Sequence, residues 1–314
     1  MFDNLLNPAI LFFVLGFFAT LVNSDMEIPQ PISKFLSFYL LMSIGLKGGA
    51  QIAANPLTAS IFLTLTVAVL LSAVIPFVVY ASLGSRYRNE DKAAIAATYG
   101  SVSAVTFVTA VNHLSQLGIA YGGHMVAALA LMEAPAIIAG LWLYKRHNGD
   151  STINAGHSNW ESVTNGSVLL ILGALVIGFI ADASALERVK PFTESIFQGM
   201  LMLFLLDMGL LASKRVRALR ETGWVTVFAA ILIPIGSAAA GIALSWSLSL
   251  SVGDAFLLTV LSASASYIAV PAALRVAIPK ANAGLYVPMA LAITFPFNLI
   301  VGFPIYLSIL QSIL

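Results

Sequence analysis

The chain has 314 residues, 59% of them apolar and only 9% charged, with a net charge of +1 and no cysteine. A soluble domain carries about 25% charged residues, so this composition, with a mean hydropathy of +0.94, excludes an ordinary soluble protein. It also excludes disulfides and thiolate metal sites, and the sequence shows no basic, aromatic-interleaved block of the kind that binds nucleic acid.

Apolar stretches of roughly 18 residues or more recur from end to end, the pattern of an all-α polytopic membrane protein. Met1-Phe2-Asp3-Asn4 lacks the basic segment of a cleavable signal peptide, so the first apolar stretch is expected to stay. Ten spans are predicted: 6–23, 33–50, 57–83, 92–112, 122–144, 166–181, 194–212, 223–249, 254–275 and 284–311. The polar stretch between the fifth and sixth, rich in Ser, Asn and Gly, reads as a linker. It divides the chain into units 1–147 and 166–314, joined by 148–165.

Basic residues sort by side. Lys34, Arg86, Arg88, Lys92, Lys145, Arg146, Lys214, Arg215, Arg217, Arg220, Arg275 and Lys280 fall on one side of this map, and Lys47, Arg188 and Lys190 on the other. The excess of positive charge marks the cytoplasmic side. Both termini are then expected outside.

The two units resemble each other at an offset near 163 residues. Ser43-Ile44-Gly45-Leu46 matches Asp207-Met208-Gly209-Leu210, Asp91 matches Asp254, Gly100-Ser101-Val102-Ser103 matches Ala263-Ser264-Ala265-Ser266, and Pro135 matches Pro296. Five spans is an odd number, so the second unit inserts upside down. Such inverted 5+5 repeats form transporters, with sites at the midplane.

The fourth and ninth spans are unusual at their centres: Tyr99-Gly100-Ser101-Val102-Ser103-Ala104-Val105-Thr106, and Ser262-Ala263-Ser264-Ala265-Ser266-Tyr267, the latter followed by Pro271. Glycine and proline favour interruption of a helix. If both spans break at mid-depth, two half-helix N-termini converge and offer N–H groups and partial positive charge to a small anion. Freed carbonyls and hydroxyls could seat a monovalent cation. The alternative is close packing of intact helices through small residues such as Gly100 and Ala104, with serines bonding the preceding turn.

Glu133, near the centre of the fifth span before Ala134-Pro135, is costly at that depth unless paired, solvated or protonated. Proton carrier, cation ligand and hydrogen-bonded structural acid are all open, with ion coupling favoured. Asp207 in the seventh span lies within reach of the Lys214–Arg220 cluster, and pairing or capping is favoured there. The four histidines have no metal-ligand spacing, and no phosphate loop, nucleophile elbow or paired acid and base points to an enzyme.

The runs Tyr99–Ser103, Ser264-Ala265-Ser266 with Pro271-Ala272-Ala273-Leu274-Arg275, Met132-Glu133-Ala134-Pro135 and Ile44-Gly45-Leu46-Lys47-Gly48-Gly49 resemble the sodium-dependent bicarbonate permease family of cyanobacteria over nearly the whole chain. The resemblance implies ten spans in core and gate domains, discontinuous fourth and ninth spans, an elevator-like movement and a homotrimer. It also implies a PII-like soluble regulator on the cytoplasmic face. By position it places the anion at Gly100, Ser101, Ser103, Ser264 and Ser266, and the neighbouring Ala265 and Tyr267 are expected to line the same site. Sodium falls at Ser103, Thr106, Ser264 and Ser266, with Glu133 in coupling; no other cofactor is implied. The chain departs from the family where Ser-Ser-Ser-Asp becomes Ser264-Ala265-Ser266-Tyr267, which removes a hydroxyl and a carboxylate. The expected function is sodium-coupled uptake of a small anion such as bicarbonate. A bile-acid-symporter-like organic-anion transporter, a passive channel and a membrane sensor are the alternatives.

Overall fold

A computed structural model of the protein describes residues 7–54, 58–148, 166–219 and 223–314. The linker residues 149–165 and Arg220 lie outside the described residues. All regular structure among the described residues is helical. Before the linker lie α1 (Pro8–Leu21), α2 (Gln30–Ala54), α3 (Ala59–Ser82), α4 (Asn89–Gly100), α5 (Ala104–Gln116), α6 (His124–Leu131) and α7 (Glu133–Asn148). After it lie α8 (Gly166–Ile180), α9 (Ala183–Lys190), α10 (Phe197–Leu219), α11 (Trp224–Ser247), α12 (Val252–Ala263), α13 (Ala269–Ala277), α14 (Ala283–Pro288), α15 (Phe295–Phe297) and α16 (Phe303–Ile313).

Seven helical runs among the described residues are long and apolar enough to cross a membrane: 30–54, 59–82, 89–116, 124–147, 183–216, 224–247 and 283–313. Three further apolar helices are shorter: α1 with 14 residues, α8 with 15 and α12 with 12. A perpendicular crossing needs about 20 residues.

Two elements differ from the sequence expectation. The seventh span was expected to begin at 194, but helix starts at Ala183 and continues through a π turn at Pro191–Ser195 into α10. Glu187, Arg188 and Lys190 hide this amphipathic start from a hydropathy window. The tenth span is one run, but π turns at Met289–Thr294 and Asn298–Gly302 interrupt its α register. Pro288, Pro296 and Pro304 each remove a ladder donor there, and the wider turns accommodate the loss.

Glycines set the closest helix contacts. A Cβ on Gly16 would lie 2.1 Å from the Leu206 carbonyl oxygen, and one on Gly209 2.1 Å from that of Phe13, so α1 and α10 touch backbone to backbone. Gly49 and Gly178 do the same for α2 and α8, at 2.0 Å from Leu175 O and 2.2 Å from Leu46 O. Without a hydrophobic drive between helices in lipid, such close approach supplies the dispersion contact that holds them.

The α4–α5 and α12–α13 spans match feature by feature. The helices α4 and α12 each have 12 residues. Each ends on a serine in extended conformation, Ser101 at φ −84°, ψ 172° and Ser264 at φ −82°, ψ 171°. Each carries an aspartate in its first turn that holds the loop leaving the other span. The Asp91 carboxylate accepts the Asn282 N–H at 2.8 Å, and Asp254 accepts that of Gly122 at 2.6 Å. Arg88 adds to the first clamp, with Nε 3.1 Å from Asp91 and Nη2 donating to the Lys280 carbonyl at 2.8 Å.

Candidate functional site

Helix is absent at Ser101–Ser103 and at Ser264–Ile268. A break inside a bilayer survives only if its backbone groups find partners, and here most do. The Ser266 N–H donates across the crossing to the Thr98 carbonyl at 2.9 Å. The Ser103 N–H donates to the Ser264 hydroxyl oxygen at 3.0 Å, and that hydroxyl donates to Leu261 O at 2.8 Å. Asn298 donates its amide to Ala263 O at 2.8 Å, closing the free end of α12, and is held by Tyr306 at 3.0 Å. Two serines act as internal caps: the Ser103 hydroxyl oxygen accepts the Thr106 N–H, and that of Ser266 accepts the Val270 N–H, both at 3.2 Å. Pro271, third in α13, falls where the missing N–H would have had no intrahelical partner.

The fifth span breaks as well. Its helix ends at Leu131 and resumes at Glu133. Pro135 explains the site, because it cannot donate to the Leu131 carbonyl one turn back. The Met132 carbonyl is taken instead by the Ser72 hydroxyl of α3. Glu133 thereby sits in the first turn of α7, where a negative charge suits the helix dipole. Among the described residues its carboxylate has no hydrogen-bond or ion-pair partner.

These three breaks meet at one cavity of about 50 Å³. Its walls include Ser103, Ala104 and Val105 from the start of α5, Ser266–Ala269 from the start of α13, Glu133, and Ser37 and Phe204 from α2 and α10. Ser103 and Ser266 occupy the N–H groups of Thr106 and Val270, and Ala104, Val105 and Ala269, the first residues of α5 and α13, also line the wall. About 10–15 Å³ of such space holds one water, so the cavity has room for a small ion or a few waters.

A larger vestibule of about 810 Å³ adjoins it on the Lys34 side, lined by Ser33, Lys34, Asp207 and Arg215. Ser37, Phe204, Tyr267 and Ile268 border both spaces and form the partition between them. The Tyr267 phenol lies beside the Ser103 side chain, 3.7 Å from Met208 Sδ of α10. Asp207 accepts a hydrogen bond from Ser33 of α2 and also interacts with the charge of Lys214, one member of the basic cluster. On the Lys47 side the space is narrower, about 260 Å³. There Gln198 of α10 donates to Asn112 of α5, and the Tyr39 hydroxyl donates to the Phe192 carbonyl.

Ser103, Ser266, Tyr267 and Glu133 thus face a common cavity. Gly100, Ser101, Thr106, Ser264 and Ala265 lie behind its wall, all buried. Gly100 packs on Pro76 of α3, where an added Cβ would stand 2.3 Å from the ring. Ser264 is spent on the crossing itself, and the buried hydroxyls of Ser101, Thr98 and Thr259 have no partner among the described residues. The sequence reading missed the α2 and α10 contributions, Ser37 and Phe204, and the Asn112–Gln198 pair. The i, i+4 serines Ser33 and Ser37 were the available signal, since they place two hydroxyls on one face of an apolar helix. No cluster of three His, Asp or Glu side chains forms among the described residues.

No curated protein matches the chain. A family model, that of the Na+-dependent bicarbonate transporter superfamily, matches residues 8–311. That is nearly the whole chain, including every residue of the cavity wall. Such membership implies a multi-pass membrane transporter rather than an enzyme. The interrupted helices, the cavity and the match over their full extent agree, and the chain belongs to the Na+-dependent bicarbonate transporter superfamily.

Proposed function

We propose that this protein is a secondary active transporter that moves bicarbonate with sodium across a bacterial plasma membrane, binding both where the interrupted spans cross. The observation that carries the reading is the cavity itself: two helix N-termini and one unpartnered carboxylate, Glu133, face the same small space. The N-termini attract an anion. The carboxylate opposes it, since like charges about 5 Å apart repel by about 3 kcal/mol at an effective dielectric near 20. A cation or proton entering with the anion removes that cost, and this is a physical basis for coupled transport. Sodium takes oxygen ligands, which Ser103, Ser266, Glu133 and the freed carbonyls supply.

The paired spans, their reciprocal Asp91 and Asp254 clamps and the swapped α1–α10 and α2–α8 contacts support two inverted five-span units, 1–147 and 166–314. Ten spans then result, with the Lys34 side cytoplasmic by its positive charge and both termini outside. The wide Lys34-side vestibule and the narrow Lys47-side space support an inward-facing state of an alternating-access cycle in which a core domain moves past a gate domain, as in an elevator. The family resemblance adds a homotrimer and a PII-like regulator on the cytoplasmic face.

In this reading the Gln198–Asn112 bond holds the outer side shut. Gln198→Leu removes a bond between amides worth about 1 kcal/mol, which raises the outward-open population about fivefold. The expected result is a similar rise in thiol labelling from outside of a cysteine at Ala104, on the midplane cavity, in a chain that has no other. An unchanged rate means that this pair does not hold the gate.

An organic-anion carrier fits the cavity of about 50 Å³ less well than a small-anion carrier does. Uptake into proteoliposomes separates them, using a panel of anions with sodium and proton gradients set independently. Bicarbonate accumulation driven by sodium is expected. Competition by bulky organic acids with no effect of bicarbonate would defeat the proposal.

A further inference from the structure

Lys47 is unexplained by the midplane site. It lies seven residues inside the end of α2, on a helix long and apolar enough to cross a membrane. It is exposed near the end of that helix, and a cation on a membrane helix is tolerated where it faces water or a partner. Among the described residues Lys47 forms no ion pair or hydrogen bond. It lines the Lys47-side cavity of about 260 Å³ and a second cavity of about 300 Å³ beyond it, and Thr193 and Glu194 border both with it. These three residues therefore form a neck between two spaces on the Lys47 face.

Inside the neck the walls are polar. One turn back on α2, Ser43 is 3% exposed, and its hydroxyl has no hydrogen-bond partner, although it lies beside the Tyr39 phenol. Asn112, Ser115 and Gln198 complete the polar lining, and the Asn112–Gln198 bond lies within this wall. A buried hydroxyl without a partner costs stability unless something in the cavity satisfies it.

We propose that this cavity is an entry subsite, separate from the midplane site, for a small oxyanion that itself carries one O–H group. Hydrogen carbonate is the case that the transport reading supplies, and the subsite rests on that reading for its role. Lys47 and Glu194 sum to zero at the neck, and Lys190 of the outer cavity is paired with Glu187, so complementary bonds rather than net charge hold the ion. The ammonium of Lys47 and the hydroxyl of Ser43 donate to the delocalised oxygens. The ion's own O–H donates to the carboxylate of Glu194. Chloride and nitrate have no proton to give, so Glu194 offsets the attraction of Lys47 and gains no bond in return. The neck thereby selects for a protonated oxyanion before the outer gate opens.

The test uses the full chain in membranes, with Ser115→Cys as its single cysteine. Ser115 is exposed and lines the cavity without being assigned to hold the ion. The rate of modification by a sulfonated methanethiosulfonate is measured from the Lys47 face. Bicarbonate is expected to slow it, with nitrate and chloride at equal ionic strength ineffective. Lys47→Gln should raise the protecting bicarbonate concentration at least about tenfold, as loss of a charged hydrogen bond does, and Lys47→Arg should restore it. The same protection is expected in a Ser266→Phe background, where the midplane cavity is filled. Protection that survives Lys47→Gln, or that nitrate and chloride provide equally, overturns the subsite. So does protection that vanishes with Ser266→Phe, since it then comes from the midplane. Because labelling needs no transport, protection in a chain that fails to accumulate bicarbonate would sink the transport reading and leave the subsite standing.

Discussion

Ser266→Phe is expected to abolish uptake, to below roughly one hundredth of the wild-type rate, while the protein still folds and inserts. The Ser266 side chain is a wall of a cavity of about 50 Å³, and an aromatic ring there leaves no space for an ion. Ser266→Ala separates filling from capping. It removes only the hydroxyl that accepts the Val270 N–H, a cap worth about 1 kcal/mol. Uptake within about twofold of wild type is expected, because a loss of about 1 kcal/mol leaves the folded fraction near one. The readout is labelled bicarbonate uptake normalised to membrane protein, with size-exclusion profiles to show that both variants are folded. Ser103→Phe, across the same cavity, should reproduce the loss. Near-normal uptake by a well-folded Ser266→Phe protein would place the transported ion elsewhere.

Glu133→Gln carries the second large effect. The substitution keeps size and hydrogen-bonding capacity but removes the one formal charge lining the cavity. The like-charge repulsion that makes a co-transported cation necessary then disappears, and so does the carboxylate oxygen with which to bind it. Sodium dependence is expected to be lost, and concentrative uptake to fall at least about tenfold, the loss of a charged partner in a low-dielectric site. Any residual flux should stop at equilibrium. A structural role for Glu133 gives a different result, because glutamine satisfies most bonds that an acid in the first turn of α7 makes. Wild-type rates with unchanged ion dependence in Glu133→Gln would remove the coupling assignment.

The breaks at Ser101–Ser103 and Ser264–Ile268 were legible because the residues that create them also repair them. Ser103 and Ser266 appear in sequence as small polar residues in apolar runs, and in the fold they cap α5 and α13. Their shared offset matters because it recurs in Asp91 and Asp254, whose carboxylates hold each other's exit loops. Other features were hidden for definable reasons. The start at Ala183 is charged on an exposed face, so hydropathy averages it away. The break at Met132 could be inferred from Pro135, yet its position depends on Ser72 of another helix. Gly100 reads as a hinge or a binding glycine, and only the fold shows that Pro76 fills the space beside it. Ser37 and Phe204 reach the cavity from helices far away in sequence, which no local pattern announces. Asp207 sits four residues from Leu211 and within sequence reach of Lys214, but its bond crosses to Ser33 on α2.

The central claim is that a small anion and a cation share the space between the starts of α5 and α13. Its most direct measurement is a density map of the protein in lipid at high resolution, with sodium bicarbonate and again with choline chloride. The account predicts density for a planar ion against the N–H groups of Ala104, Val105 and Ala269, present only with bicarbonate, and a second peak beside Glu133 that requires sodium. An identical cavity in both conditions, holding only water or closed by side chains, would contradict it.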